Sequence, residues 1–146
     1  MGNSSSTSEV ANEPGYLSQA SAAYDQVVNA IIRPPRCEYV LRALGPPAFE
    51  FVGSRYHRKD FTLVNKRGMR LQCSHWEPIP ANRRSETLPC VIYMHGNSSG
   101  RVEALPILSL ILSLGATLVT FDFSGSGHSE GEWVSLGVFE RDDLGA

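Results

Sequence analysis

The sequence is poor in cysteine and in net charge, and each shortage excludes a class of protein. Its three cysteines, Cys37, Cys73 and Cys90, are an odd number without the spacing of metal ligands, which argues against a disulfide framework and a zinc module. Thirteen basic and fifteen acidic residues leave a net charge of −2, so the overall charge gives no sign of a nucleic-acid partner. We expect reduced thiols, no bound metal or cofactor, and a cytoplasmic protein.

The first fifteen residues also lack an apolar stretch, which argues against a secretory signal peptide. They are rich in Ser, Asn and Thr and end in Glu13-Pro14-Gly15, a composition typical of a flexible leader. The opening Met1-Gly2-Asn3-Ser4-Ser5-Ser6 fits the N-myristoylation pattern, in which Gly2 carries the acyl chain. A glycine at this position also arises by chance in a Ser-rich tail, so both interpretations stay open. A single acyl chain would give only weak, reversible membrane association.

One segment, from Ala104 to Phe121, carries no charge over eighteen residues and has the length of a membrane span. Pro106 and Gly115 interrupt it, and Gly115 divides a helix-like half from a strand-like half. A buried helix, turn and strand therefore explain the segment better than a helix in a bilayer.

Helical periodicity and proline set the organisation of the first third. Apolar residues recur at helical spacing from Leu17 to Ile32, which predicts an amphipathic helix that Pro34-Pro35 ends. Gly45-Pro46-Pro47 marks a loop. We therefore divide the chain into a leader at 1–15, a helix with a Pro-rich extension at 16–48 and a domain at 49–146.

The next segment predicts a β-hairpin. Residues 60–64 and 69–76 flank the four-residue loop Asn65-Lys66-Arg67-Gly68, a length that suits a hairpin connection. Apolar and polar residues alternate in the second strand from Met69 to Ser74, which predicts one buried face and one face in water.

After the hairpin the pattern changes to buried strands alternating with helices. Residues 88–94 form a continuous apolar run, as expected for a strand covered on both faces. A helix is predicted over 102–114 with Pro106 in its first turn, a cap at Gly115, a second apolar strand over 116–123, and a further helix beginning at Ser135. The sequence thus predicts an α/β fold, a parallel sheet preceded by an antiparallel hairpin.

Two stretches match the nucleophile-elbow pattern G-x-S-x-G, at residues 96–100 and 127–131. The attacking serine of such an elbow needs an imidazole base and a carboxylate to orient that base. His128 is the one histidine that follows Ser98, and the carboxylates available to it are Asp122, Asp142 and Asp143. In an open parallel sheet those groups lie on loops after later strands, and only one strand follows Ser98, so Ser98 is not the favoured nucleophile. Ser129 is not favoured either, because it lies several residues past its strand and is followed by Glu132-Trp133-Val134 rather than by a helix start.

A supporting role suits the first stretch better. Backbone N–H groups at a turn from a strand into a helix point outward and stabilise the negative oxygen that forms during acyl transfer. His95-Gly96-Asn97 is placed for this role, with the Asn97 N–H as donor and Ser98 in support. Spacing alone gives equal weight to an ordinary strand-to-helix turn in which His95 bonds locally.

Two longer stretches carry a family resemblance. The stretch C-V-I-Y-M-H-G-N-S-S-G-R, followed by V-T-F-D-F-S-G-S-G-H-S-E-G-E, resembles the paired HG and D-x-x-G-x-G-x-S blocks of α/β-hydrolases. The pair is similar to the serine aminopeptidase (S33)-like and monoacylglycerol-lipase-like branch. Three further stretches, I-I-R-P-P-R at Ile31, R-K-D-F at Arg58 and F-E-R-D-D-L at Phe139, resemble a subgroup known from plants and protists.

The resemblance implies the N-terminal part of an α/β-hydrolase sheet, with 49–146 as a partial domain. It implies that Asn97 supplies an oxyanion-hole N–H, and that Asp122 with Gly125-Ser126-Gly127 shapes the loop after the second apolar strand. In that family the nucleophile elbow lies on the next strand, and the acid and base come later. The chain is therefore expected to stop before the elbow and to hold no catalytic serine, acid or histidine, so no catalytic role is carried to His128.

The expected function is that of a serine hydrolase of esterase, lipase or aminopeptidase type, acting on an acyl ester or amide through an acyl-enzyme, with this chain inactive alone. The alternatives are a non-catalytic domain that binds a partner, tethered through a myristoyl group, and a truncated gene product. The family's strand order leaves the strand at 90–94 with a bare edge, which predicts self-association.

Overall fold

The computed structural model describes residues 16–146, which fall into two units, the residues up to Ile31 and Ile32–Ala146. Predicted features of the first fifteen residues, including Gly2, lie outside the described residues. The regular elements are α1 (Tyr16–Ile32), β1 (Ala48–Phe51), β2 (Ser54–Val64), β3 (Arg70–Pro78), β4 (Cys90–Met94), α2 (Leu105–Ser113), β5 (Thr117–Phe121) and α3 (Val138–Asp143).

Helix α1 agrees closely with the predicted helix and includes every described residue of the first unit. Its apolar residues Tyr24, Val27 and Ile31 are exposed. Within residues 16–146, no helix combines the length and the apolar character needed to cross a bilayer. The uncharged segment from Ala104 to Phe121 forms α2, a turn and β5, as its composition predicted.

The second unit is built on a five-stranded sheet with the order β1-β2-β3-β5-β4. The predicted hairpin forms between β2 and β3, and β5 continues the sheet antiparallel to β3, while β4 and β5 are parallel. Strand β1 was not predicted, because its four residues Ala48–Phe51 are too few to show an alternation between the adjacent Pro47 and Gly53. The mixed sheet confirms the predicted α/β class.

Apolar clusters lie on both faces of this sheet. On one face Leu44, Trp76, Ala104 and Leu118 are buried, with side chains of α2 packed against them. On the other face a smaller cluster lies near α3 and consists of Leu71, Cys73, Phe121 and Phe123.

The predicted wet face of β3 holds in part, since Arg70 is exposed and Gln72 is half-buried, but it fails at Ser74. Ser74 is fully buried rather than exposed, and its hydroxyl donates a hydrogen bond to Asp60 at 2.6 Å. Trp76 on the same face belongs to the larger apolar cluster. The polar alternation identified the strand, but α2 and the chain before β1 cover the face that it assigned to water.

The prediction that β4 is covered on both faces is also wrong. Val91 and Tyr93 pack against the larger cluster, whereas Ile92 and Met94 on the opposite face are 51% and 52% exposed. Among the described residues β4 pairs with β5 alone, which makes it an edge strand. An apolar run reports what a strand can bury, and its neighbours decide how much of it is buried.

The helix predictions hold with shifted ends. A 3-10 turn at Arg101–Ala104 leads into α2, Pro106 lies in its first turn, and Gly115 ends it with φ +76°. The last helix begins at Val138 rather than Ser135, because Ser135 and Glu140 cap it instead. The Ser135 hydroxyl accepts the Phe139 N–H at 2.6 Å, and Glu140 accepts the Ser135 N–H at 2.8 Å.

Candidate functional site

The turn at residues 95–99 lies between the carboxyl end of β4 and the 3-10 turn before α2. Asn97 and Ser98 are exposed, and Ser98 has φ +59°, a conformation that a non-glycine residue rarely adopts. The Asn97 side chain accepts the Ser98 N–H at 3.0 Å, which stabilises this tight turn. A backbone held in a sparsely populated region at a strand end is typical of a functional turn.

His95 fixes the carbonyl group of Gly96. The His95 Nε2 accepts the Phe123 N–H at 3.1 Å, so the ring proton of the neutral imidazole is on Nδ1. That proton is donated to the Gly96 carbonyl at 2.8 Å, and the Ser99 N–H donates to the same oxygen at 3.2 Å. The ring is buried and packs edge-on against Phe123. The predicted local bonding of His95 is therefore present.

This bonding also determines where the Asn97 N–H points. The peptide between Gly96 and Asn97 is planar and trans, so its N–H points away from the carbonyl that His95 holds. Within the turn, the N–H groups of Gly96, Ser98 and Ser99 have partners, whereas the Asn97 N–H has none among residues 16–146. The turn thus presents one free backbone donor in a fixed direction. The local bonding of His95 thus leaves the Asn97 N–H available, and its predicted role as an oxyanion donor stays a prediction.

An apolar cavity of about 470 Å³ lies beside this turn. Its wall runs from the end of β4, across the residues after β5, to α3. Its lining includes Met94, Asn97, Phe123, Val134, Leu136 and Leu144. A pocket of this size with few polar groups is typical of a site for a small or extended apolar group.

The loop after β5 is organised by the buried carboxylate of Asp122. It accepts the Tyr39 hydroxyl at 2.6 Å, the Arg101 N–H at 2.6 Å and the His128 N–H at 2.9 Å. The Arg101 side chain is also buried, lies 3.8 Å from Asp122 and donates to the Cys73 carbonyl at 3.0 Å. Asp122, which is predicted to shape this loop, thus has both of its carboxylate oxygens hydrogen-bonded within the protein.

The glycines of this loop allow close approach of the backbone. A Cβ on Gly127 would collide with the Asp122 carboxylate, and one on Gly125 would collide with the Trp133 backbone. Ser126 is buried between them.

Ser129 is also part of this internal network. It is 2% exposed, its hydroxyl donates to the Asp122 carbonyl at 2.5 Å, and it accepts the Gln72 N–H at 2.9 Å. An attacking serine needs a free hydroxyl beside a base, and Ser129 has neither.

His128 lies on the surface of the same loop. Its ring stacks on Tyr39 with centroids 4.3 Å apart, and its Nε2 donates to the Tyr39 carbonyl at 2.7 Å. Among residues 16–146, no hydrogen bond joins an imidazole to the hydroxyl of Ser98 or Ser129. Asp143, the other buried carboxylate considered for His128, instead binds Ser124, Asn65 and Arg67.

Sequence reasoning missed the residues that hold the two loops in place. Arg36, the last residue of the stretch I-I-R-P-P-R, donates to the carbonyls of Gly127, Ser129 and Gly131. Its side chain therefore anchors the second loop. Asp143, in the stretch F-E-R-D-D-L, has a similar anchoring role. Its carboxylate accepts hydrogen bonds from Asn65 in the hairpin turn and from the Ser124 N–H after β5. The family resemblance had singled out both stretches. Their anchoring roles could not be predicted, because the bonding partners are far away in the sequence.

No protein-family profile and no curated protein sequence matches the chain. Solved structures do match. An esterase of Pyrococcus furiosus, Pf2001, superposes with a TM-score of 0.58 at 24% identity, over 78% of this chain and 40% of its own. The hypothetical protein PA2218 of Pseudomonas aeruginosa superposes with a TM-score of 0.58 at 18% identity, over 74% of this chain and 33% of its own.

These matches establish the fold. The chain has the α/β-hydrolase fold in part, and it spans about two fifths or less of the length of these two structures.

Proposed function

We propose that this chain supplies the oxyanion-loop half of a serine hydrolase that transfers an acyl group from an ester or amide to water. The serine aminopeptidase-like and monoacylglycerol-lipase-like branch is the proposed subgroup, on the paired stretches that begin at Cys90 and Val119. The similarity in fold to a protein described as an esterase supports a hydrolase of this general kind.

One observation carries the proposal: the N–H of Asn97, which has no partner among the described residues, lies at the edge of an apolar cavity. A donor whose direction is fixed before the reaction needs no reorganisation when negative charge develops on the substrate oxygen. Removing one such donor typically costs about 10²- to 10³-fold in kcat. The apolar wall beside it suits the hydrocarbon part of an acyl group.

The proposed hydrolase takes its nucleophile from outside residues 1–146. The Ser129 hydroxyl is already hydrogen-bonded within the protein, as both a donor and an acceptor. The exposed Ser98 has no hydrogen bond to an imidazole among the described residues. The chain by itself is therefore proposed to be inactive.

A fluorophosphonate probe tests this division of roles. The natural protein is captured with an antibody raised against this chain, labelled, and mapped by mass spectrometry beside the purified 146-residue chain. We expect a label on a serine outside residues 1–146 and none on the isolated chain. A label on Ser98 or Ser129, or none on the natural protein, contradicts the proposal.

The donor itself is tested by two substitutions at one position. Asn97→Pro removes the N–H and is expected to lower kcat by about 10²-fold or more, whereas Asn97→Ala keeps the N–H and is expected to stay within about threefold of the natural protein. Equal kcat values for the two variants would show that the backbone donor has no catalytic part.

A second candidate function rests on the edge of β4. This strand contains no charged residue, and Ile92 and Met94 expose half of their surface on one face. Such an edge pairs readily with another strand, and we propose a second copy of this chain as the partner, joined through antiparallel β4 strands. Light scattering after size exclusion is expected to show a dimer that Ile92→Lys dissociates. A monomer with cooperative unfolding would exclude this function.

We also propose that the chain is cytoplasmic and associates weakly with membranes through a myristoyl group on Gly2. The basis is the opening sequence alone. Labelling with a myristate analogue that Gly2→Ala does not reduce would contradict it.

A further inference from the structure

Glu103 lies against the turn that carries the proposed donor. It belongs to the 3-10 turn at Arg101–Ala104, and both of its carboxylate oxygens lie 3.2 Å from the Gly96 nitrogen, which donates to them. One of these oxygens also accepts the Tyr93 hydroxyl at 2.8 Å. The Ser99 hydroxyl donates to the same carboxylate. One side chain thus joins the end of β4, the turn and the start of the following helix.

These contacts complete the restraint on Gly96. His95 and Ser99 hold the peptide that follows the Cα of Gly96, and Glu103 holds the peptide that precedes it. A glycine has the widest choice of backbone angles, so a turn built around it needs both peptides fixed to keep one shape. Without Glu103 the peptide before Gly96 loses its anchor, so the turn is less restrained and the Asn97 N–H is held less firmly in its direction.

Glu103 also decides which N–H of the turn is available. It occupies the Gly96 donor, while the donors of Ser98 and Ser99 are taken within the turn, which leaves that of Asn97. Hydrogen bonding by the Ser99 hydroxyl, followed by the Tyr93 hydroxyl and the Gly96 N–H, outweighs the effect of burial and lowers the pKa of Glu103. The side chain is therefore a carboxylate at neutral pH, the form that accepts all three bonds.

We infer that Glu103 is a positioning residue for acyl transfer, which anchors Gly96 so that the Asn97 N–H alone faces the substrate oxygen. The inference rests on the proposed function. Glu103 itself touches no reacting atom, and its effect passes through the backbone of the turn. Displacing a catalytic group by about 1 Å can cost on the order of 10²-fold in rate, so loss of the anchor is expected to lower kcat by about 10- to 100-fold.

The experiment has a structural arm and a catalytic arm. In the isolated chain, amide hydrogen exchange is measured over the peptide that contains residues 94–100. In the natural protein, kcat and KM are measured with an activated ester. Both arms use Glu103→Ala, Glu103→Gln and the control Glu86→Ala, since Glu86 is exposed and lies outside the turn.

We expect Glu103→Ala to speed exchange of the turn amides by about tenfold or more and to lower kcat with KM within about twofold. Glu103→Gln keeps an acceptor for Gly96 and is expected to recover most of the exchange protection and most of the rate. Glu86→Ala is expected to match the wild type in both arms. Recovery of both readouts by Glu103→Gln shows that the lost acceptor for Gly96, and not general damage to the fold, causes the effects of Glu103→Ala.

The two arms also separate this inference from the function on which it rests. Unchanged exchange in Glu103→Ala overturns the anchor, whatever the activity. Faster exchange with an unchanged kcat overturns the positioning role. Faster exchange in the isolated chain, combined with a natural protein that no fluorophosphonate labels, overturns the proposed function, and the catalytic part of the inference fails with it.

Discussion

The two G-x-S-x-G stretches share a pattern and differ in almost every physical property. The turn after β4 exposes Asn97 and Ser98 and keeps one backbone donor free, whereas in the loop after β5 Ser126 and Ser129 are buried. The polar groups of the second loop form hydrogen bonds with Asp122, Gln72 and Arg36. A motif of three fixed residues therefore does not distinguish a turn that presents groups to a substrate from a loop that holds the protein together.

The difference follows from what surrounds each stretch. Strand β4 is an edge strand with one open face, so the turn at its end meets solvent and a cavity. Strand β5 lies between β3 and β4, so the loop at its end is enclosed by Tyr39, Arg101 and the segment at Arg36. Burial obliges a loop to satisfy its own polar groups, and exposure permits one to stay free.

The largest expected effect comes from the two carboxylates that anchor the loops. Asp122→Asn changes a fully buried acceptor of three hydrogen bonds and leaves the Arg101 guanidinium buried without its countercharge. We expect it to lower the free energy of unfolding by about 3–5 kcal/mol. The matched change Glu103→Gln, at a half-buried carboxylate, is expected to cost about 1 kcal/mol.

Urea unfolding followed through the fluorescence of the buried Trp76 measures both changes. Similar losses for the two variants would show that Asp122 is no more important to the fold than Glu103, and the contrast between the loops would fail.

The next effect compares the first glycines of the two stretches. Gly127→Ala places a Cβ against the Asp122 carboxylate at a residue with φ +46°, so we expect a loss of about 2–4 kcal/mol. Gly96→Ala places its Cβ 3.7 Å from the nearest Glu103 oxygen, an ordinary contact, and is expected to cost less than about 1 kcal/mol.

Thermal unfolding of the two alanine variants compares these costs directly. If Gly96→Ala proved the more damaging, the turn after β4 would be the more tightly constrained of the two.

The sequence predicted those features that depend on neighbouring residues. The β2–β3 hairpin follows from the alternation around Asn65–Gly68, and the end of α2 follows from Gly115, whose φ of +76° suits glycine. For the turn at His95-Gly96-Asn97 it left an oxyanion donor and an ordinary turn equally open, and the donor role stays a prediction. These signals are local, since each depends on residues only a few positions apart.

The missing features depend on contacts between distant residues. Tyr39 meets Asp122 across 83 positions and Arg101 across 62, so no local pattern marks Tyr39 as part of the second loop. Burial of Ser74 and exposure of Ile92 depend on which elements cover each face of the sheet. Composition shows what a strand is able to bury, whereas tertiary packing decides what it does bury.

The smallest of the three effects compares the serines themselves. Ser129→Ala removes a hydroxyl that donates to the Asp122 carbonyl and leaves the Gln72 N–H without its acceptor, so we expect a loss of about 1–3 kcal/mol. The exposed Ser98 hydroxyl has no bond to a described residue, and Ser98→Ala is expected to change the free energy of unfolding by less than about 0.5 kcal/mol.

Urea unfolding of the single variants and the double variant checks both values, and the two effects should add because the serines lie in separate networks. A loss at Ser98 as large as that at Ser129 would mean that the first hydroxyl has a partner in solution. That turn would then resemble the loop after β5, whose polar groups are hydrogen-bonded within the protein. A free donor at Asn97 would no longer distinguish the two stretches. The contrast between the two stretches thus depends on Ser98 tolerating a change that Ser129 does not.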